Sequence, residues 1–172
     1  MNVKGGRKML ILGIDPGLAI VGWGVVEKRN NRFYPVAYGA IRTPAHTDVA
    51  SRLSQIYDDM NTLFSRYKPD AMAIEELFFN TNVTTGIAVA EARGVILMAA
   101  HKNGVEVAEY TPMQVKQAVV GYGKAEKRQV IAMVTSLLGL PKPPSPDDTA
   151  DAIAIALCHA QSENSRLRQF YQ

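Results

Sequence analysis

The sequence predicts an α/β domain on an open mixed sheet, and three observations carry that reading. Residues 10–14 and 71–74 are short, wholly apolar stretches, the composition of strands buried on both faces. Residues 20–27 and 33–41 are rich in β-branched and aromatic residues and flank the turn Arg29-Asn30-Asn31, as in an antiparallel hairpin. The segments between the later apolar runs carry helical spacing, and strands joined by helical crossovers run parallel.

Taken in order, residues 9–14 form the first strand, and residues 20–27 and 33–41 complete a meander from it. Residues 48–67 place Val49, Leu53, Ile56, Tyr57, Met60, Leu63 and Phe64 at helical intervals, and Lys68-Pro69-Asp70 closes that helix. A strand over 71–74 ends on Glu75-Glu76. Residues 84–102 form a helix with small and apolar residues around much of its circumference, stopped by Gly104. Residues 105–110 give the fifth strand. Thr111-Pro112 then opens a short helix, with Thr as N-cap and Pro in the first helical position. Helices over 125–138 and from the Pro-rich loop to about residue 161 follow, and residues 163–172 read as a fraying polar tail.

The chain of 172 residues, 47% hydrophobic and 20% charged, is read as one domain with an extension at 1–8 to which no role is assigned. A net charge of +3 and a pI near 9.0 permit a nucleic-acid partner without demanding one. Cys158 is the only cysteine, so no intrachain disulfide can form, and His46, His101 and His159 are too scattered for a zinc site. The apolar run after Lys4, Arg7 and Lys8 meets Asp15-Pro16 too soon for a secretory signal. No stretch is expected to cross a bilayer, since even residues 86–100 contain Glu91 and Arg93, and a cytoplasmic protein is expected.

The chemistry lies in the acids. Asp15 and Glu75 each end a buried strand, where ligand sites of open α/β sheets sit. In SPDDTADAIAIA, Asp148 and Asp151 are three apart and share a helix face, while Asp147 is expected to point elsewhere. Asp148 has an ordinary alternative: Ser145 as N-cap and Pro146 in the first position would put it at the capping-box position. Asp151 enters the apolar run 152–157 with no basic residue within a turn, and an unpaired carboxylate there costs several kcal/mol, roughly. Acids gathered tightly without cations repel one another, and divalent ions relieve that. Oxygen-only donors favour Mg²⁺ or Mn²⁺ over zinc. Two such ions about 4 Å apart can flank a phosphodiester, one activating water and the other stabilising the leaving oxygen.

Five short motifs then stand in order along nearly the whole chain: G-I-D-P-G at 13–17, A-I-E at 73–75, Q-V-K-Q at 114–117, A-E-K at 125–127 and D-x-x-D-A at 148–152. Each is weak alone, but the ordered set resembles RuvC, the bacterial Holliday junction resolvases. The resemblance implies an RNase H-like fold and a homodimer that nicks two opposing strands of a four-way DNA junction symmetrically in Mg²⁺. The ends it leaves are a 3′-hydroxyl and a 5′-phosphate. It also implies catalytic, metal-binding acids at Asp15, Glu75, Asp148 and Asp151, with Asp148 replaceable by His in some relatives. A base-wedging aromatic falls at Phe78, DNA contacts fall at Lys116 and Lys127, and the RuvA and RuvB motor proteins are expected partners.

Each DNA contact has a plainer alternative. Phe78-Phe79 could fill the core, and Lys116 could be solvated opposite Val115 and Val119. The basic stretch Lys124 to Arg128 could be an ordinary helix start, although cations there oppose the helix dipole and call for an anion. A DNA phosphate would meet that demand, so Lys124 and Arg128 join the candidate contacts. Arg166 and Arg168 read as a solvated tail. The apolar breadth of residues 84–102 fits either burial in the monomer or a twofold interface. A nuclease for RNA–DNA hybrids, an actin-like ATPase and a silent junction binder stay open. The ATPase is disfavoured by the absence of a repeated second domain.

Overall fold

The structure, a computed structural model, describes residues 8–77 and 83–169, with side chains as far as residue 162. Five strands form one sheet in the order β3-β2-β1-β4-β5, where β1 is Met9–Asp15, β2 Ile20–Arg29, β3 Arg32–Arg42, β4 Ala71–Glu75 and β5 Glu106–Tyr110. β1 pairs antiparallel with β2 and parallel with β4, and β5 extends the parallel side. The mixed sheet expected from the sequence is the one observed.

Helices α1 (Val49–Tyr67) and α2 (Val83–Lys102) cover one face. Helices α3 (Pro112–Val120), α4 (Lys127–Leu137) and α5 (Asp147–Gln169) cover the other. Alternation along the strands decides which residue meets which layer. Leu12, Ile14, Met72 and Ile74 are fully buried with α1 and α2, whereas Ile11 and Ala73 are fully buried toward α5. Each such large apolar side chain contributes about 1.5–3 kcal/mol of burial. Because Ile11 and Ala73 face α5, Asp15 and Glu75 face it too. Local chemistry sets the helix ends: Asp48 accepts from the Ser51 N–H at 2.9 Å, and Thr111 forms a capping box with Gln114.

Helix α5 is apolar on every side over Ala152 to Leu157, each no more than 1% exposed. It lies against β1 and β2 because those strands supply glycine where its backbone crosses. A Cβ on Gly13 would stand 2.0 Å from the Ala152 carbonyl oxygen, and one on Gly22 would stand 2.0 Å from that of Asp148. The glycines therefore set the distance between the sheet and the acids of α5.

Four expectations are corrected. The last helix runs on to Gln169, since nothing between Ser162 and Gln169 is a Gly or Pro that would stop it. Helix α5 starts at Asp147, and the Pro146 carbonyl accepts from Thr149 N–H at 3.0 Å. Pro146 thus precedes the helix, and Asp148 is its second residue instead of a capping-box partner. Helix α4 starts at Lys127, because Ala125 is buried as a loop residue and Glu126 serves as the N-cap. Finally, α2 is long and apolar enough, by length and composition, to cross a membrane. Here it lies on the sheet through Ala92, Ile96, Ala99 and Ala100, and Arg93 pairs with Glu109 of β5 at 2.8 Å.

Candidate active site

A cavity of about 210 Å³ opens where β1 and β4 end, between the sheet and helices α3, α4 and α5. Asp15 and Glu75 reach it from neighbouring parallel strands, one residue beyond the paired Ile14 and Ile74. Asp151 enters from the first turns of α5. Lys116 enters from α3 and Lys127 from the first position of α4. Val115, Val130, Ala154 and Ile155 form the apolar wall. Three acids and two cations from five distant segments thus share one partly dry space.

The electrostatics follow from that crowding. Burial, reinforced by Asp151, Glu75 and Asp148, pushes the Asp15 carboxyl up to about 8. Burial and Asp151 raise Glu75, against the opposing charges of Lys116 and Lys127. Burial also raises Asp151, although Lys127 donates to it with Nζ 3.0 Å from Oδ2. Burial lowers Lys127, but its bond to Asp151 and the nearby charge of Asp147 outweigh that and leave it above its ordinary value.

Asp148 does not line this cavity. Its side chain lines a separate cleft on the far side of the β1–β2 turn, yet its charge acts on both Asp15 and Asp151. Lys124 is exposed outside the cavity, and Arg128 pairs with Glu126 at 2.7 Å with most of its side chain in solvent. Phe78 lies outside the described residues.

Two expectations about the acids change. Asp147 does not point away: it is one helical turn before Asp151, and Lys127 Nζ lies 3.6 Å from its carboxylate. The i, i+4 spacing of Asp147 and Asp151 was the signal for it. Nor are the acids a cation-free cage. Lys127 supplies charge from another helix, and no three metal-ligand side chains among the described residues are gathered closely enough to hold an ion as they stand.

The donor set still fits a hard divalent cation. It consists of carboxylates only, from rigid strand ends and one helix, and the upward shift of Asp15 shows that positive charge would stabilise its ionised form. Arg93 adds support behind the site, its Nε 3.5 Å from the Glu75 carbonyl oxygen. Sequence spacing alone gave no sign of that contact.

A family model described as "Crossover junction endodeoxyribonuclease RuvC" matches residues 11–159. The chain belongs to the RuvC family. It is 57% identical over 156 residues to the crossover junction endodeoxyribonuclease RuvC of Desulfitobacterium hafniense, covering 91% of this chain and 94% of that one. It is 58% identical over 154 residues to the RuvC of Heliobacterium modesticaldum, covering 90% and 95%. Among solved structures it resembles Thermus thermophilus RuvC in complex with a Holliday junction substrate, with a TM-score of 0.85 and 38% identity, covering 90% of this chain and 94% of that one. The RuvC match runs from within β1 to α5 and includes every acid of the site, and the RNase H-like fold expected from the motifs is the fold observed. RuvC proteins are metal-dependent nucleases, and the oxygen-only donor set here agrees with that chemistry.

Proposed function

We propose that this protein resolves Holliday junctions by symmetric, Mg²⁺-dependent nicking of two opposing DNA strands in recombination and repair. One observation carries the reading: Asp15, Glu75 and Asp151 converge with Lys116 and Lys127 on a single cavity in a RuvC-family chain. Asp15, Glu75, Asp148 and Asp151 are the ligands for two Mg²⁺ ions, with Mn²⁺ able to substitute. Ions bound there supply the positive charge that activates water and stabilises the leaving oxygen.

The remaining work falls to the protein's own side chains. Asp15 and Glu75 hold their oxygens on adjacent strand ends, where they would fix the cations against the sheet. Lys116 neutralises phosphate charge from the α3 side. Lys127 holds Asp151 before substrate arrives, and a phosphate is the natural second partner for its ammonium. Lys124 and Arg128 contact the DNA backbone farther out, and Phe78 stacks on an unpaired base.

The twofold symmetry of a four-way junction calls for two identical sites, and α2 supports a homodimer. It leaves Val83, Ile87 and Met98 exposed by 62%, 52% and 47%, an apolar face that a second copy would bury. A cytoplasmic location and cooperation with the RuvA and RuvB motor complete the proposal.

The test is incubation with a synthetic four-way junction, with and without Mg²⁺, mapping both nicks. Paired nicks at symmetric positions only in Mg²⁺ support the reading. Equal or better cleavage of an RNA–DNA hybrid overturns it in favour of a hybrid nuclease.

A further inference from the structure

A second cleft, of about 550 Å³, lies across the β1–β2 turn from the active cavity. Pro16, Gly17 and Leu18 form one wall, Thr84 of α2 another, and Asp148 and Arg52 complete it. Arg52 is the cation among the described residues that line it. It is half-buried and makes no ion pair among the described residues. It sits in the first turn of α1, where the dipole disfavours a cation and the Asp48 N-cap carboxylate offsets that cost.

Its orientation is built in. Arg52 Nε donates to Thr43 Oγ1 at 2.8 Å, and that hydroxyl donates to the Leu18 carbonyl at 2.6 Å. Thr43 N–H donates to the Ala19 carbonyl at 3.1 Å. Thr43 is 8% exposed, so the chain of bonds is shielded from water. It ties the guanidinium to the turn that follows Asp15, three residues from the catalytic acid itself. One edge of the guanidinium is used in this latch, and its terminal N–H groups remain for the cleft.

We propose that Arg52 binds a backbone phosphate of the DNA strand being cut, at a subsite next to the scissile phosphate and outside the cavity of Asp15, Glu75 and Asp151. Arg52 and the N-terminal turn of α2 present positive potential to the cleft, set against Asp148, the one carboxylate among the described residues that line it, while the α1 N-terminus is already capped by Asp48. Ala88 and Val89 add an apolar floor suited to a deoxyribose. Through Thr43, phosphate binding on Arg52 is mechanically joined to the Asp15 turn. This makes Arg52 a substrate-binding residue and Thr43 a positioning residue. The inference rests on the junction-cutting reading above.

The test measures affinity of the full chain for a four-way junction in EDTA across a range of salt concentrations, for the wild type, Arg52→Gln and Arg52→Lys. Loss of one phosphate contact lowers the slope of log K against log salt by about 1. Arg52→Gln is expected to show that loss, and Arg52→Lys to retain the wild-type slope. A merely structural arginine would change melting temperature and leave the slope alone. A second measurement needs no variant: phenylglyoxal modification of Arg52 in the wild-type protein, read by peptide mass spectrometry with and without junction. Protection by DNA supports the subsite. An unchanged slope in folded Arg52→Gln, or equal modification of Arg52 with and without DNA, overturns it. A wild-type protein that binds no junction at all overturns the function reading instead.

Discussion

Lys127 and Asp151, from different helices, form an ion pair with Nζ 3.0 Å from Oδ2 inside the candidate active site. Both line the cavity proposed to cut DNA, and on that proposal each is the other's partner only until substrate and ions compete for them. Lys127→Met is expected to slow junction nicking about 10²–10³-fold, the usual cost of removing a group that stabilises transition-state charge. Single-turnover cleavage measures this, and wild-type rates in the variant would remove Lys127 from the reaction. Adding Mg²⁺ to the wild type without DNA is expected to bring the Lys127 ammonium back toward its ordinary pKa, since the carboxylate charge that raises it is then shared. Nitrogen-15 NMR of the lysine side chains reads that change.

Asp15→Asn should separate binding from chemistry. The variant keeps the strand end and its shape, so it is expected to bind four-way DNA with wild-type affinity and to leave it uncut in Mg²⁺. Gel-shift and nicking assays on one preparation check both halves. Full cleavage by the variant would exclude Asp15 from the mechanism.

The same acid sets a pH dependence. Asp15 titrates near 8 in the folded chain against an ordinary value of 3.8. Between those values the folded state holds a proton that the unfolded state has released, so stability falls as pH rises through that window. Glu75 and Asp151 are shifted in the same direction and add to the slope. Lys127, also raised, keeps its contribution at all pH values below its ordinary 10.5, above this window. In EDTA the melting temperature is therefore expected to drop between pH 5 and pH 8, and Mg²⁺ is expected to flatten the drop. Asp15→Asn should gain about 2–4 °C over the wild type at pH 8, the shift that roughly 1 kcal/mol produces in a chain of this size. Calorimetry at the two pH values tests the sign.

Gly22 is where helix α5 meets the sheet. A Cβ there would stand 2.0 Å from the Asp148 carbonyl oxygen, against backbone that cannot rotate away. Gly22→Ala is expected to cost about 1–3 kcal/mol by overpacking and to displace the turn carrying Asp148. Nicking should fall more than stability does. Denaturant unfolding beside cleavage rates distinguishes a local shift from general loss of fold.

The exposed face of α2 gives a separate handle. Ile87→Glu places a charge in the middle of the apolar patch and is expected to convert a dimer to a monomer without lowering the melting temperature of the monomer fold. Sedimentation equilibrium reads the mass. A wild type that is monomeric at tens of micromolar would move the interface elsewhere.

The sequence by itself determined the strand and helix order and the parallel and antiparallel partition of the sheet, and it singled out Asp15, Glu75 and Asp151 as the acids to watch. It could do so because each rests on local chemistry: apolar runs bounded by turn residues, helical spacing, and carboxylates placed where a core should not tolerate them. The five ordered motifs also carried the family. What only the tertiary structure decided is how close those groups come and what stands between them. Lys127 reaches Asp151 because α4 packs beside α5, a contact between segments more than twenty residues apart that no local spacing encodes. Asp148 falls into its own cleft because Gly13 and Gly22 let α5 settle directly onto β1 and β2, and this sets which face of that helix looks at Asp15. The Arg52–Thr43–Leu18 latch joins a helix, a strand end and a turn in the same way. Side-chain type is written residue by residue, whereas the spacing of charges across a core emerges only from how the layers pack.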